Sequence, residues 1–447
     1  MKRFFVLVIL VLFTASMAFA AGGGVSEDPW RAYEGTHLNV IGFNITYIEG
    51  LEPLLPEFEE KTGIKINLDL FNEEAAHEKV RIELASKSGA YDIMWVQANW
   101  SIPYAESGWL YPLEGLMQNK AITFPEVLQI DDIMPSLLNL MRYKGALYGL
   151  PWFAATIMTY YRTDILAEHG IDPAQLDTIE GFAEAVRTVH DPKGVAGVAM
   201  RGDPGESSWH STVFLRGLGG TYVKDIKNGD YYPTFDTAPV IESTRLYADL
   251  LANYSIPGAV NAKYDQVVIA MQQGNVAIAM EGAPLGGRIL DPDKSRVCGK
   301  VGFRVVPGGP GGVHPAFTGH GFAINNASRN KEAAWLFLQW SNSFEITKKI
   351  SLSSNHIAVH RKSLWNDEDF REKWNLSGEG DFLATFQKSL ALGDPDYRPR
   401  INGWVEVNAV YGNALQLVII GNKTPEQAMR DTQQEAVNIL KRLEYIK

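Results

Sequence analysis

Hydrophobic and polar positions follow two different periods along the first part of the chain. Residues 64–70 (IKINLDL) alternate strictly between apolar and polar, which is typical of a strand covered on one face. Ala76, Val80 and Leu84 then recur at every fourth position, which predicts an amphipathic helix that ends before Gly89. With the neighbouring apolar runs, we predict strands at 37–43, 64–70 and 91–96, separated by helices at 51–61 and about 76–88. Such alternation favours βαβ units and a mainly parallel sheet.

The segment at residues 148–170 combines a strong strand signal with the start of a helix. Aromatic and apolar residues crowd positions 152–161, and Thr163 or Asp164 is placed to cap a helix that opens at Ile165. A strand this rich in aromatic residues, leading directly into a capped helix, suits a chain that crosses between two lobes above a ligand cleft. We therefore expect residues 152–161 to form one crossover between lobes.

The C-terminal half carries the same signals less regularly. Residues 317–324 (FTGHGFAI) form a predicted strand with alternate glycines, which indicates a close backbone approach or a hinge. Thr424, Pro425 and Gln427 match a helix start with a T-x-x-Q capping box and proline at the first helical position. The other predicted elements are strands at 195–200, 276–281 and 301–307 and helices at 241–251 and 333–340. We expect the chain to cross between lobes more than once.

The N-terminus has the three parts of a secretory signal peptide. A basic start at residues 1–3 precedes an apolar stretch at 4–13, which is too short to span a membrane as a helix. Residues 18–20 (AFA) then supply a small-residue cleavage site, so we expect residues 1–20 to be removed. No cysteine lies near this site, so we expect no lipid anchor. The mature protein is predicted to be periplasmic.

Composition narrows the class of protein. A chain of 447 residues exceeds the size at which one core stops growing, so two domains are expected. Cys298 is the single cysteine, which excludes an internal disulfide. Without Lys2 and Arg3, 39 basic residues remain against 52 acidic ones, and this charge of −13 argues against nucleic acid or an anionic membrane as a partner. Several of the 11 Trp and 18 Tyr stand beside Asn, Gln or Ser, which indicates a surface that is both apolar and hydrogen-bonding.

Five blocks of sequence resemble, in the same order, the family 1 extracellular solute-binding proteins, the sugar-capturing subunits of ABC importers. Each block is weak by itself, but together they cover almost the whole mature chain. The blocks are 55–65 (LPEFEEKTGIK), 91–93 with 104–110 (YDI and YAESGWL), 148–170, 271–274 with Ala277, and 421–428 (GNKTPEQA). A further stretch, 394–400 (DPDYRPR) with Trp404, is most similar to members that carry monosaccharides or polyols.

The resemblance implies an α/β fold of the type II periplasmic-binding-protein kind, with two lobes that are each a mainly parallel sheet with flanking helices. We expect residues 21–150 and about 282–325 in lobe 1, and residues 151–281 and about 326–447 in lobe 2, joined by hinge crossovers. The implied function is capture of a carbohydrate, either a mono- or oligosaccharide or a polyol, by closure of the lobes and delivery to the membrane permease subunits. Such a protein is expected to be a monomer without cofactor and not an enzyme.

The chain departs from the maltose-binding members at four places. It has Asn99-Trp100 where they carry an acidic-basic pair, Ala155 where they carry an acid, and Asn408 and Gly412 where they carry an aromatic residue and an arginine. These differences argue against a long maltodextrin as the ligand. Which sugar or polyol binds is left open.

A sugar site needs flat aromatic rings for CH faces and amide or carboxylate groups for hydroxyls. Loops beyond the carboxyl ends of parallel strands are where α/β sheets bind ligands. The candidate residues on the first lobe are Asn44, Gln97, Asn99 and Trp100, and those on the second lobe and the hinges are Trp152, Phe153, Glu206, Trp209, Glu281, His320, Arg400 and Trp404. Glu281 ends an apolar strand, where a carboxylate is costly without a partner.

Several alternatives stay open at this point. Asn44 and Asn99 equally suit turns, and Trp152 and Phe153 equally suit hinge packing. A secreted carbohydrate-active enzyme could use Glu206 and Glu281 as a carboxylate pair, although the chain has no H-E-x-x-H or G-x-S-x-G motif. The same fold could also bind a non-sugar solute such as a polyamine. Residues 201–203 (RGD) are interpreted as a chance loop tripeptide, and no metal site is expected.

Overall fold

The computed structural model describes residues 28–376 and 380–447. The expected signal peptide at 1–20 lies outside the described residues. The strands, in chain order, are β1 (His37–Phe43), β2 (Lys65–Phe71), β3 (Ile93–Gln97), β4 (Arg142–Tyr143), β5 (Ala146–Leu147), β6 (Leu150–Arg162), β7 (Ala196–Ala199), β8 (Val223–Asp225), β9 (Asp230–Pro233), β10 (Val276–Gly282), β11 (Val301–Val305) and β12 (Phe317–Ile324).

Two half-sheets share one long strand. The strands lie in the order β2-β1-β3-β12-β6-β10-β7, and β11 also pairs with β6. The first half-sheet consists of β2, β1, β3, β12 and residues 150–156 of β6, and the second consists of residues 157–162 of β6 with β10, β7 and β11. Strand β1 runs parallel to β2 and β3, and β7 runs parallel to β10. Strand β12 runs antiparallel to β3 and β6, and β10 and β11 run antiparallel to β6.

Strand β6 is therefore the crossover that the aromatic pattern predicts. Its partner changes from β12 to β10 and β11 between Thr156 and Ile157, and its first twelve residues are buried. Continuous burial explains the uninterrupted apolar run, because a strand covered on both faces has no polar side. The prediction of a strand that leaves one sheet and enters another is confirmed.

The helices cover both half-sheets. The α-helices are α1 (Thr46–Leu51), α2 (Leu55–Thr62), α3 (Glu73–Ser86), α4 (Ala98–Glu106), α5 (Glu114–Gln118), α6 (Pro125–Leu128), α7 (Pro135–Leu140), α8 (Thr163–Glu168), α9 (Ile179–Val189), α10 (Ser207–Gly217), α11 (Ala238–Asn253), α12 (Tyr264–Gln273), α13 (Gly286–Ile289), α14 (Lys331–Ser341), α15 (Phe344–Ser353), α16 (Glu368–Lys373), α17 (Phe382–Leu392), α18 (Trp404–Ile419) and α19 (Pro425–Arg442). Short 3-10 turns occupy Pro29–Arg31, Glu52–Leu54, Ile130–Asp132, Pro173–Asp177, Ala259–Asn261, Ala283–Leu285 and Ser363–Asn366.

Helix starts were predicted with mixed success. Thr424 caps α19, and its Oγ1 accepts a hydrogen bond from the Gln427 amide at 3.2 Å, as predicted. Helix α8 instead begins two residues before the predicted Ile165, and its N-cap position is Arg162, which makes no side-chain cap hydrogen bond. Thr163 lies inside the helix because the strand stays paired up to Arg162 and leaves no extended cap residue beyond it.

The two helices that follow β12 lie against the first half-sheet. The ring of Phe337 in α14 lies 6.1 Å from that of Phe322 in β12, and Tyr47 of α1 donates a hydrogen bond to the Ser341 carbonyl of α14 at 2.7 Å. Ser354 Oγ, at the C-terminal cap of α15, donates to the Thr46 carbonyl of α1 at 2.9 Å. The expected division assigned residues 326–447 to the second lobe, whereas these contacts tie α14 and α15 to the first half-sheet. Helical periodicity shows that a face is buried but not which sheet covers it.

Candidate ligand-binding site

Three candidate residues stand side by side on neighbouring strands of the first half-sheet. In the register of the sheet, His320 of β12 pairs with Gln97 at the end of β3 and with Phe153 of β6. The register shifts between His320 and Gly321, at a bulge. Gln97, His320 and Phe153 therefore form a row near the point where β6 leaves the first half-sheet.

Aromatic rings pack tightly behind this row. Trp152 is fully buried, and its ring stacks on Tyr47 with centroids 4.4 Å apart and on His320 at 5.8 Å. His320 Nδ1 accepts a hydrogen bond from the Trp95 indole at 3.2 Å, and burial lowers the pKa of His320 to about 3. The imidazole is therefore neutral with its proton on Nε2. For Trp152 this environment matches the hinge-packing alternative.

The amide candidates lie around the start of α4 rather than in a loop. Asn99 Nδ2 donates to Gln97 Oε1 at 3.3 Å, and Asn99 Oδ1 accepts from Arg398 Nε at 3.3 Å. Trp100 is half-buried, and its ring lies against His77 with centroids 4.1 Å apart. Asn44 is exposed just beyond β1, and its backbone amide donates to the Phe71 carbonyl. Gln97, Asn99 and Trp100 are thus brought together by one strand end.

On the second half-sheet, Glu281 has the partner that its buried position demands. Its carboxylate is completely buried in β10 and accepts hydrogen bonds from Arg201 Nε at 3.0 Å and from Arg201 Nη2. The Gly282 amide donates to Glu281 Oε1 at 2.6 Å. Burial by itself would raise the pKa of Glu281, but the charge of Arg201 and the contacts with His210 and Arg201 together outweigh it and lower that pKa to about 2.

Arg201 also engages groups on other elements. Its Nη1 donates to Glu206 Oε2 at 3.2 Å, and its guanidinium lies 5.6 Å from the centre of the Tyr264 ring. Its backbone carbonyl accepts from the Tyr247 hydroxyl, and its amide donates to His210 Nδ1 at 3.2 Å. The tripeptide at 201–203 does lie in a loop, as interpreted, but its first residue is held by groups on several other elements.

The loop that carries Glu206 is held by α18. A Cβ at Gly412 would stand 2.0 Å from the Pro204 carbonyl oxygen, so only glycine allows this approach. Asn408 Nδ2 donates to the Gly205 carbonyl at 3.4 Å. The two α18 positions at which the chain departs from the maltose-binding members therefore support the 203–206 loop.

Charged groups of the first half-sheet meet this cluster. Glu73, the first residue of α3, is an exposed residue. The protein around its carboxyl group nevertheless raises its pKa by desolvation, and the positive charge of Arg201 acts in the opposite direction. The next residue, Glu74, accepts a salt bridge from Lys263 Nζ at 2.8 Å. Burial also raises the pKa of Glu206, again opposed by Arg201. The start of α3 thus faces the second half-sheet. We call the region between them the cleft.

The remaining candidates lie behind the cleft surface. Trp209 is 8% exposed in the first turn of α10 and meets Tyr397 edge to face at 5.8 Å. Trp404 is buried at the start of α18 against Tyr222, with centroids 5.0 Å apart. Arg400 donates to Asp396 at 3.1 and 2.8 Å. These contacts are those of packing residues, in contrast to the rim positions expected for Arg400 and Trp404.

Sequence reasoning missed four side chains of the cleft, namely Glu73, His77, Arg201 and Arg398. Arg398 joins the two half-sheets, because it donates to Asn99 at 3.3 Å and to Ser208 Oγ at 3.4 Å. One signal pointed to Arg201: a carboxylate inside an apolar strand requires a cation nearby. Glu73 and His77 lie on the polar side of an amphipathic helix, where a solvated face is the ordinary interpretation.

Two other features are absent from the described ranges. Within residues 28–376 and 380–447, no group of three or more His, Cys, Asp or Glu side chains is arranged to hold a metal ion. No helix in the same ranges is long and apolar enough to cross a membrane.

Comparison with known proteins identifies the family. The model of the bacterial extracellular solute-binding protein family matches residues 44–345. A mannitol-binding protein of Pseudomonas aeruginosa is 23% identical over 438 residues, which cover 94% of this chain and 96% of that protein. An erythritol/L-threitol-binding protein of Mycolicibacterium smegmatis is 24% identical and is matched over 83% of this chain and 79% of its own length.

A solved structure shares the whole fold. The ABC transporter solute-binding protein of Agrobacterium radiobacter K84 in complex with ribitol superposes with a TM-score of 0.80 at 26% identity, covering 90% of this chain and 98% of that one. The chain belongs to the bacterial extracellular solute-binding proteins of ABC transporters. Its fold is that of the two-lobed periplasmic binding proteins, as the resemblance predicted.

Proposed function

We propose that this protein captures a short polyol or a sugar between its lobes and delivers it to the permease subunits of an ABC importer. The observation that carries the proposal is the cleft at the β6 crossover, where side chains of both half-sheets meet. Trp100 offers aromatic surface, and Gln97, Asn99 and Arg201 offer hydrogen-bonding groups. Such a mixture suits a ligand with CH faces and many hydroxyls.

The relatives support a hydroxyl-rich ligand. Of the two relatives described above, one is named for binding mannitol and the other for binding erythritol and L-threitol, and the similar solved structure holds ribitol. The contacts across the cleft favour a small ligand, since the Lys263–Glu74 and Arg398–Asn99 pairs already join the half-sheets. A long oligosaccharide would have to separate one of these pairs.

We also propose a division into lobes that follows the contacts. Residues 28–156 and 317–373 form the first lobe, and residues 157–316 and 382–447 form the second. The chain then crosses three times: in β6, between β11 and β12, and between α16 and α17. The protein acts as a monomer, and cleavage after residue 20 releases it into the periplasm.

Binding without catalysis is part of the proposal. Glu281 is unsuited to acid/base work, because it is completely buried and both of its oxygens accept hydrogen bonds. A hydrolytic pair needs carboxylates that reach the substrate. Incubation with an oligosaccharide panel is expected to release no new reducing ends, and release would favour the enzyme instead.

A thermal-shift screen of polyols, monosaccharides and maltodextrins tests the function. A ligand of the native state present at 100 times its Kd adds about 2.7 kcal/mol of stability, so the melting temperature is expected to rise with short polyols or sugars. Trp100→Ala is expected to weaken binding about tenfold or more, since it removes aromatic contact surface worth about 1.4 kcal/mol.

Trp109→Ala is the matched control, because Trp109 is a half-buried tryptophan just beyond the far end of α4. It is expected to leave the shift intact. If the shift survives fully in Trp100→Ala, this assignment of the cleft is wrong. If amino acids or polyamines stabilise the protein and carbohydrates do not, the proposed ligand class is wrong.

A further inference from the structure

Arg201 is the most constrained charged side chain of the cleft. It lies two residues beyond the carboxyl end of β7, a strand that runs parallel to β10, which is where α/β sheets bind ligands. Glu281 fixes one edge of its guanidinium through Nε and Nη2, and Glu206 accepts from Nη1. The ring of Tyr264 lies 5.6 Å from it. The plane of the guanidinium is therefore set by three different elements.

This arrangement is poorly explained as a stabilising feature. Taking the charge of Glu281 out of water costs several kcal/mol, and well-packed apolar residues often stabilise a core as well as a buried ion pair does. A buried acid that orients a partly exposed arginine is instead the arrangement by which proteins position a binding group. The Arg201 side chain is 15% exposed, whereas that of Glu281 is 0% exposed.

Arg201 keeps donors for a ligand. A guanidinium has five N–H groups, and the hydrogen bonds to Glu281 and Glu206 account for three of them within the described residues. One N–H remains on each terminal nitrogen.

Acceptors lie on both sides of these donors. Glu206 belongs to the loop before α10, and Glu73 opens α3 on the opposite half-sheet. Glu74, the neighbour of Glu73, is paired with Lys263 Nζ at 2.8 Å, and Lys263 directly precedes Tyr264, whose ring lies 5.6 Å from Arg201. The start of α3 is therefore placed beside the Arg201 cluster. A hydroxyl group can donate to a carboxylate on either side while it accepts from Arg201.

We propose that Arg201, positioned by Glu281, and Glu73 of the opposite lobe together recognise two hydroxyl groups on adjacent carbons of the ligand. The inference rests on the proposed function. It adds which group of the ligand is recognised and which residues recognise it. The two oxygens of a vicinal diol match the spacing of a guanidinium edge, and their protons are directed to the carboxylates. Because Glu73 comes from the first lobe and Arg201 from the second, the diol joins the lobes and favours closure.

Isothermal titration of the full mature protein with erythritol, ribitol and mannitol tests this assignment, with 1,5-pentanediol as a ligand that has no adjacent hydroxyls. Wild-type protein is expected to bind at least one of the three polyols and not the pentanediol. Arg201→Lys is expected to weaken polyol binding about 10- to 100-fold, because a point charge replaces two fixed donors. Glu73→Gln is expected to weaken it about tenfold and to leave the melting temperature of the free protein unchanged.

Arg288→Lys is the matched control, since Arg288 lies at 5.8 Å from the same Tyr264 ring and is paired with Asp265. It is expected to bind like the wild type. Ribitol analogues that each lack one hydroxyl give a second readout. In Arg201→Lys, removing a recognised hydroxyl from the ligand is expected to weaken binding by less than about threefold. The side chain that recognises this hydroxyl is already absent from that variant.

Different failures have different meanings. Full polyol binding by Glu73→Gln, or an unchanged analogue profile in Arg201→Lys, overturns the inference and leaves the proposed function standing. The same holds if an oligosaccharide binds and none of the three polyols does. If no polyol or sugar binds the wild-type protein, the proposed function fails and the inference fails with it.

Discussion

At the scale of single residues, the protein depends on polar groups that are buried together with their partners. Glu281 is the clearest case, because its position in an apolar strand required a cation and Arg201 supplies it. Buried histidines instead avoid the cost of a buried charge by losing their proton. His320 and His356 are buried and uncharged, and burial lowers the pKa of each to about 3.

These two histidines predict a pH dependence of stability. In the unfolded chain a histidine titrates near its ordinary pKa of about 6.5, well above the folded value of about 3. The unfolded state therefore binds more protons below pH 6.5, so the free energy of unfolding is complete above that pH and is lost as the pH falls. Each histidine is expected to contribute a slope of up to about 1.4 kcal/mol per pH unit.

Urea unfolding at pH 7.5, 6.0, 5.5 and 5.0 measures this slope above the ordinary glutamate pKa of about 4.3. His320→Gln is expected to remove about one histidine's share of it. The exposed His169, changed to Gln, is the control and is expected to leave the slope unchanged. A stability that stays constant from pH 7.5 to 5.0 would contradict the buried neutral state of His320 and His356.

At the scale of elements, the crossover depends on how closely β12 approaches β6. A Cβ at Gly321 would stand 2.6 Å from the Leu150 carbonyl oxygen, and one at Gly319 would stand 2.9 Å from that of Phe153. Alternate glycines predicted such an approach, and the structure confirms it. The side of β12 that carries the glycines lies against backbone, while His320 between them points towards the aromatic rings.

Gly321→Ala is expected to lower the free energy of unfolding by about 1–3 kcal/mol, because its methyl group meets a backbone oxygen that cannot rotate away. The measurement is equilibrium unfolding in urea. Gly115→Ala in α5 is the matched control, since a Cβ there meets nothing within 4 Å, and it is expected to be neutral or slightly stabilising. Equal stability of the two variants would show that β12 can move away from β6 at little cost.

At the scale of the whole molecule, the polar contacts described between the lobes across the cleft are individually weak. The Lys263–Glu74 salt bridge is exposed, and exposed pairs contribute about 0–1 kcal/mol. Arg398 reaches Asn99 from the second lobe. Interactions this weak allow the lobes to open in the absence of ligand, and a ligand that touches both lobes shifts the population towards the closed form.

Closure gives a prediction that solution scattering can check. Saturating ligand is expected to reduce the radius of gyration of the wild-type protein. Arg398→Ala is expected to raise the Kd about tenfold, equivalent to about 1.4 kcal/mol, while the unfolding free energy of the free protein changes by less than about 1 kcal/mol. Arg304→Ala removes an arginine paired with Asp177 within the second lobe and serves as the control. An unchanged radius on binding, or equal effects of the two variants, would refute closure through Arg398.

Much of the fold was predictable because it depends on short-range patterns. Strands β1, β2, β3, β6 and β12 were expected within two residues of their ends, since alternation, apolar runs and glycine spacing are local properties. The site was less predictable. The candidates Gln97, Asn99 and Trp100 follow one strand and do lie together, whereas Trp209 and Trp404 are largely buried.

The sequence by itself determined the kind of fold, the crossover strand and the family, because period, composition and block order carry that information without distant contacts. Only the tertiary structure decided which side chains face the cleft. Arg201 and Glu281 are 80 positions apart, and Arg398 and Asn99 are 299 apart. Pairing at such distances depends on the placement of remote segments, within the second lobe for Arg201 and Glu281 and between the lobes for Arg398 and Asn99. Electrostatic and hydrogen-bonding partners are selected by that placement, and no local pattern encodes it.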